Sequence, residues 1–110
     1  MSQRIAKVES LVQQVVARSL IEVLPGESAR LTITGVDVAP DIRSAIVWVG
    51  VLADDEAAQQ ALFDRVVGLG GVLQQHLAKV ITTKFVPRLT FRLDTGGSYA
   101  EHINRLLGSL

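Results

Sequence analysis

Two histidines, His76 and His102, are the first candidates for acid–base or metal chemistry, and neither has a second histidine or a cysteine at ligand spacing. Each reads as a packing or surface residue. The carboxylates of Asp41, Asp64 and Asp94 stand singly, so no pair is set up as acid and base. No G-x-S-x-G elbow and no P-loop occurs in the sequence. With no cysteine, disulfides, thiolate zinc sites and catalytic thiols are excluded. These features predict a chain that is not an enzyme and takes no cofactor and no metal.

Binding chemistry is better represented. Gly68-Leu69-Gly70-Gly71 has the G-x-x-G spacing with which KH-type loops clamp a nucleotide backbone. It fails as a dinucleotide fingerprint, because it follows a helical stretch and lacks the later glycine. A plain helix–helix turn with a glycine cap is the other reading, and the spacing alone favours it. Charge placement says more. The formal net charge is zero, from 11 basic and 11 acidic residues, which argues against binding nucleic acid by bulk charge. Yet no acid lies between Asp64 and Asp94, where Arg65, Lys79, Lys84, Arg88 and Arg92 all fall. Acid gathers instead at 54–56 and at Asp37 and Asp41. Such segregation builds a positive surface on a neutral protein, and guanidinium groups suit bidentate phosphate contact. An ordinary solvated strand face and helix surface is the alternative. Trp48, Phe63, Phe85, Phe91 and Tyr99 read as core or edge packing rather than as a stacking platform for single strands.

These residues need elements to position them. Ile5, Val8, Val12 and Val15 recur at helical spacing, predicting a helix over 3–24 that Pro25-Gly26 stops. Leu31 and Ile33 alternate with threonines, then the apolar phase slips by one residue at Gly35 and resumes at Val36 and Val38, as a β-bulge would produce. Residues 45–52 are apolar on both faces. That predicts a central strand covered by more than one layer, with a buried helix the alternative that periodicity leaves open. Ala39-Pro40-Asp41 supplies the turn of an antiparallel pair. Asp54-Asp55-Glu56 opens a helix with Ala58, Ala61, Leu62 and Val66 inward. The glycine cluster breaks it, and a further helix runs from about Val72 to Ile81 with Leu73, Leu77 and Val80 inward. Pro87 opens a last strand in which Leu89, Phe91 and Leu93 alternate with Arg88, Thr90 and Arg92. Ser98 and Glu101 have capping-box spacing for a short helix carrying Ile103, Leu106 and Leu107.

The sum is α+β, with helices against one face of a small three-stranded sheet. At 110 residues and 48% hydrophobic, the chain is the size of one domain, expected to span 1–110. The longest apolar run, Ala45 to Ala53, is far short of the ~20 residues a membrane span needs. A cytoplasmic protein with no membrane partner is expected.

Taken in order, several stretches resemble the ribosome-binding factor A family. The opening Arg4-Ile5-Ala6-Lys7-Val8 is similar to the family's first helix. The run from Leu31 to Ala45, with Asp41 and Ala45 at the usual positions, resembles its strand pair. Lys84-Phe85-Val86-Pro87-Arg88-Leu89-Thr90-Phe91-Arg92-Leu93-Asp94, followed by Ile103-Asn104-Arg105-Leu106-Leu107, is the strongest stretch. Leu69-Gly70-Gly71 stands where the family has an Ala-x-Gly kink, with leucine for the alanine. Gln74 and Gln75 replace basic residues, Thr82 an arginine, and Arg88 an acid. The resemblance implies a KH-like (type II) α-β-β-α-kink-α-β fold with a short C-terminal helix. It also implies a non-enzymatic assembly factor that binds immature 30S subunits; separately, a monomer is expected. Such a factor assists 16S rRNA maturation, including 5′-end processing, and matters for growth in the cold. Lys79 and Lys84 are then expected to track rRNA phosphates, with Arg88 and Arg92 extending the contact along the last strand. Gly70 and Gly71 would admit the RNA backbone, and Arg4 and Lys7 would add a contact from the first helix. The rival reading is a protein–protein module that presents Arg88, Arg92 and Trp48 to an acidic partner, without direct RNA binding.

Overall fold

A computed structural model describes residues 3–82 and 84–108; the two ends of the expected 1–110 unit lie outside the described residues. The elements are α1 (Gln3–Val23), β1 (Leu31–Val38), β2 (Ser44–Val51), α2 (Glu56–Gly68), α3 (Gly70–Val80), β3 (Arg88–Asp94) and α4 (Ser98–Gly108), with a short 3-10 turn at Ser28–Arg30. The order is the one expected from the sequence. The sheet runs β1-β2-β3, with β1 antiparallel and β3 parallel to the central β2. The strand reading of 45–52 therefore holds over the buried helix.

Alternation along β2 decides which face each side chain serves. Ala45, Val47, Val49 and Val51 join the main core with Val8, Val12 and Val16 of α1, Leu62, Phe63 and Val66 of α2, and Leu73 and Leu77 of α3. Ile46, Trp48 and Gly50 point to the opposite face. Parallel pairing of Ile46 with Thr90 and Trp48 with Arg92 assigns β3 in the same way. Leu89, Phe91 and Leu93 pack against the core, and Arg88, Thr90 and Arg92 project outward.

The bulge lies where the sequence places it. Ile33 pairs with Val49 and Gly35 with Trp48, so Thr34 is the extra residue. The helix starts and stops are also local. Asp55 caps α2 by accepting the Ala58 N–H at 2.7 Å. The glycine cluster proves gentler than a loop. α2 and α3 are separated by Leu69 alone (φ −94°), whose N–H is shared between the Arg65 and Val66 carbonyls. Neither Gly68, Gly70 nor Gly71 takes a positive φ.

Three expectations change. Ala58 and Ala61 are exposed, because Phe63 rather than either alanine fills the core side of α2. Val80 is also exposed, turned to the α1–α3 groove while Ile81 takes the inward position. Most consequentially, only α1 to α3 share one face of the sheet; α4 lies on the other, against Trp48. The physical reason is the two-faced apolar character of β2, whose indole needs cover on the far side. Positive φ at Gly96 (61°) and Gly97 (101°) lets the chain double back there directly after β3. No residue of α4 is buried, and Leu106 and Leu107 are exposed rather than inward.

Candidate nucleic-acid interface

The cations expected to act together are divided by the sheet. Lys79 lies on the helical side, where it lines a groove between α1 and α3 with Arg18, Glu22, His76 and Val80. Arg92 is on the outer face, its guanidinium carbon 5.8 Å from the Trp48 ring beneath α4. Lys79 and Arg92 cannot meet one phosphate track. Gly70 sits against Phe91, where an added Cβ would stand 3.6 Å from the ring, and Gly71 opens onto free space. Phe91 is three residues along β3 from Arg88, a separation of roughly 10 Å at strand rise. The kink therefore lies against the middle of β3, at Phe91.

A different convergence forms at that end of the sheet. Parallel pairing sets Ser44 beside Arg88, and the Arg88 N–H donates to the Arg43 carbonyl at 2.9 Å. Ser44 and Arg88 therefore start neighbouring strands side by side, with Arg43 one residue before that pair and bonded through its carbonyl to the Arg88 backbone. The Arg43 guanidinium carbon lies 4.4 Å from the centroid of the Phe85 ring, and the Lys84 ammonium 5.4 Å from it. Arg4, from the first turn of α1, lines a recess with Pro40, Asp41, Ile42 and Phe85. Lys7 is exposed one turn further along α1. Of the eight expected residues, Arg4, Lys84 and Arg88 come together, with Lys7 flanking them. Lys79, Arg92, Gly70 and Gly71 lie elsewhere.

Arg43 and Phe85 were missed by sequence reading. Arg43 stands one residue before β2, as Pro87 does before β3, and only the parallel register of the two strands brings it to this end of the sheet. Phe85 reads as edge packing from sequence, yet it is 38% exposed. Two cations within cation–π range of one exposed ring form a surface of the kind that takes bases and phosphates together.

The remaining candidates have structural partners. His76 Nδ1 lies 2.9 Å from the buried Ser19 hydroxyl, and His102 Nε2 lies 2.8 Å from Asp37. Arg65 pairs with Glu27 at 2.8 Å, and that bond holds the Glu27 carboxyl below its usual range. Asp41 accepts the Arg43 N–H within its turn, and Asp64 accepts from Gln60. Asp94 serves α4. Burial pushes its carboxyl up, but the Ser98 hydroxyl, the Thr34 hydroxyl and the Tyr99 and Ser98 N–H groups outweigh this and leave it lowered. Among the described residues no cluster could hold a metal ion, and no helix is long and apolar enough to cross a membrane.

Comparison with known proteins agrees with this architecture. Residues 4–107 match the ribosome-binding factor A family. The chain is 30% identical over 110 residues to ribosome-binding factor A of Oenococcus oeni, covering 99% of this chain and 91% of that protein. The crystal structure of the Thermus thermophilus factor superposes with a TM-score of 0.65 at 22% identity, covering 81% of this chain and 93% of that one. A homology model of the Thermus thermophilus factor, as fitted into a cryo-EM map of a 30S complex, gives 0.57 at 25% identity, covering 78% and 90%. The KH-like α+β fold is the one those structures share. With the family match running through both the strand pair and the basic end, this chain belongs to the ribosome-binding factor A family.

Proposed function

We propose that this chain binds free, immature 30S subunits and assists late maturation of 16S rRNA, including 5′-end processing and growth in the cold. It acts as a monomeric cytoplasmic unit spanning 1–110, without covalent chemistry of its own. The observation that carries the reading is the convergence of Arg4, Arg43, Lys84 and Arg88 at the Phe85 end of the sheet. The fitted Thermus thermophilus relative supports the choice of partner, since that factor is described in complex with 30S.

Neutral overall charge suits a factor that must leave again. Affinity then comes from one local patch, and the rest of the surface adds no general attraction to RNA. Binding at that patch favours whichever rRNA conformation presents phosphates to all four cations. A protein that prefers one of two RNA folds shifts their populations by its differential affinity, and this matters most where escape from the wrong fold is slow. Lys7 extends the patch along α1; Lys79, Arg92, Gly70 and Gly71 are secondary contacts at most.

Gradient co-sedimentation with salt-washed 30S subunits tests this. Lys84→Glu with Arg88→Glu weakens association and makes the salt dependence shallower by roughly 1.4 to 1.8 in log–log slope, for two lost phosphate contacts. Unchanged binding in that variant removes these residues from the interface. Failure of the wild-type chain to follow small-subunit fractions, or retention of its partner after nuclease, overturns the reading in favour of a protein-only module.

A further inference from the structure

The turn between β1 and β2 carries a conformation its sequence does not favour. Ile42 has φ +61° and is only 7% exposed. A β-branched residue in the left-handed region is a strained outlier, and glycine or asparagine would sit there more easily. The turn enforces it: Ile42 N–H donates to the Ala39 carbonyl at 2.8 Å, Ala39 N–H to the Ser44 carbonyl at 2.9 Å, and Arg43 N–H to Asp41 Oδ1 at 3.1 Å. The strain has a directional result. It sends the Ile42 side chain into the core, and the next residue, Arg43, lies over Phe85.

Beside that ring opens a recess of about 270 Å³, lined by Arg4, Pro40, Asp41, Ile42 and Phe85. Small-molecule pockets begin near ~300 Å³, so this volume suits one planar group rather than a whole ligand. An exposed phenyl ring, a guanidinium over it, an ammonium near it and a recess at its side match one chemistry: a flat π-face joined to an anion. An acidic peptide brings the anion without the flat face. In a duplex the base faces are hidden by stacking, so the partner must present an unpaired base.

Resting on the 30S reading, we infer that Phe85 and Arg43 form a stacking site for a single unpaired RNA base. The base stacks on the phenyl ring and the recess takes its edge. Arg43, Lys84 and Arg4 face the adjoining phosphates. The interface thereby selects unpaired RNA, where phosphate contacts alone would accept any RNA.

The test uses the full chain and a short oligoribonucleotide carrying 2-aminopurine, either single-stranded or annealed to its complement, with poly-glutamate as the rival ligand. The single strand is expected to bind more tightly than the duplex, with a change in 2-aminopurine emission. Phe85→Leu keeps the apolar bulk and loses roughly 5- to 150-fold in affinity along with the emission change; Phe85→Trp retains both. Arg43→Gln, at an exposed position, gives a partial loss, and thermal melts confirm that each variant is folded. Equal binding of duplex, wild-type affinity in Phe85→Leu, or preference for poly-glutamate each overturns the site. Co-sedimentation with 30S runs in parallel. Association that ignores Phe85 leaves the 30S reading standing without the stacking site, whereas absence of wild-type association defeats the reading itself.

Discussion

Gly35 lies directly under the phenol ring of Tyr99, so a Cβ at position 35 would collide with the Cζ end of that ring. The same ring packs against Trp48 with centroids 6.0 Å apart, and His102 approaches the indole at 5.3 Å. One glycine in the β-bulge is thus the seat of the whole fourth helix. Gly35→Ala must expel Tyr99. Because α4 buries no residue of its own, the helix gives way before the sheet does. The expected outcome is a loss of about 1–3 kcal/mol, the usual range for overpacking, with a red shift of Trp48 emission as its cover leaves. Tyr99→Ala added to Gly35→Ala restores part of the loss, and the cycle is strongly non-additive.

Seating of α4 is also expected to fail at both ends of the pH scale. The Asp94 carboxylate sits at the start of the helix, accepting from the Ser98 hydroxyl at 2.7 Å and the Tyr99 N–H at 3.1 Å. Its pKa is lowered in the folded chain. Its contribution is therefore complete above the ordinary carboxyl pKa and is lost as pH falls through the depressed value. Tyr99 has the opposite sign. Burial first, then the charges of Glu9 and Asp37, raise its pKa. Its contribution is complete below the ordinary phenol pKa and is lost as pH rises through the raised one. Trp48 emission followed from acid to alkali reports both losses. Asp94→Asn abolishes the acid-side change and leaves the alkaline one.

Much of this arrangement is legible in the residues. The bulge at Gly35, the Asp55 cap and the two-faced strand 45–52 are local signals, each fixed by phase, turn chemistry or capping. What sits on the second face of that strand is not local. Trp48 finds Tyr99 and His102 about 50 residues away, and neither helical periodicity nor Ser98-x-x-Glu101 says on which face α4 lands. Capping shows the same limit. Asp94 reaches forward to α4, while the Ser98 hydroxyl turns back to accept the Thr95 N–H, so the expected box gives way to a longer loop. At the interface, charge segregation identifies the right region of sequence. It cannot separate Lys79, which lines the α1–α3 groove, from Lys84, which stands at the Phe85 ring.

That separation has a measurable consequence. Lys79 faces the α1–α3 groove with Arg18 and Glu22, whereas Lys84 stands at the Phe85 ring. Single charge reversals therefore differ. Lys84→Glu is expected to weaken 30S association and reduce its log–log salt slope by roughly 0.7 to 0.9, the value of one phosphate contact. Lys79→Glu leaves the slope within error of wild type. Equal effects from the two substitutions would show that RNA also reaches the α1–α3 groove, contrary to the single-patch interface.

The last expectation concerns a residue without charge. Gln74 of α3 spans the open edge of β3, its Nε2 donating to the Pro87 carbonyl at 2.7 Å and its Oε1 accepting the Leu89 N–H at 2.9 Å. One amide thus takes the place of a neighbouring strand on either side of Arg88, and no aliphatic side chain can repeat this. Gln74→Met preserves volume and leaves both backbone groups to find water, at a cost of about 1–3 kcal/mol. The amide of Leu89 should then exchange faster, as seen by NMR. Since Arg88 is anchored through this edge, 30S association should weaken too, without any change in charge. Gln75→Met, at the exposed neighbour, is the control and leaves both measurements unmoved. Loss of stability with unaltered 30S binding in Gln74→Met would mean that the basic end tolerates a mobile β3, and that placement by this clamp is not part of recognition.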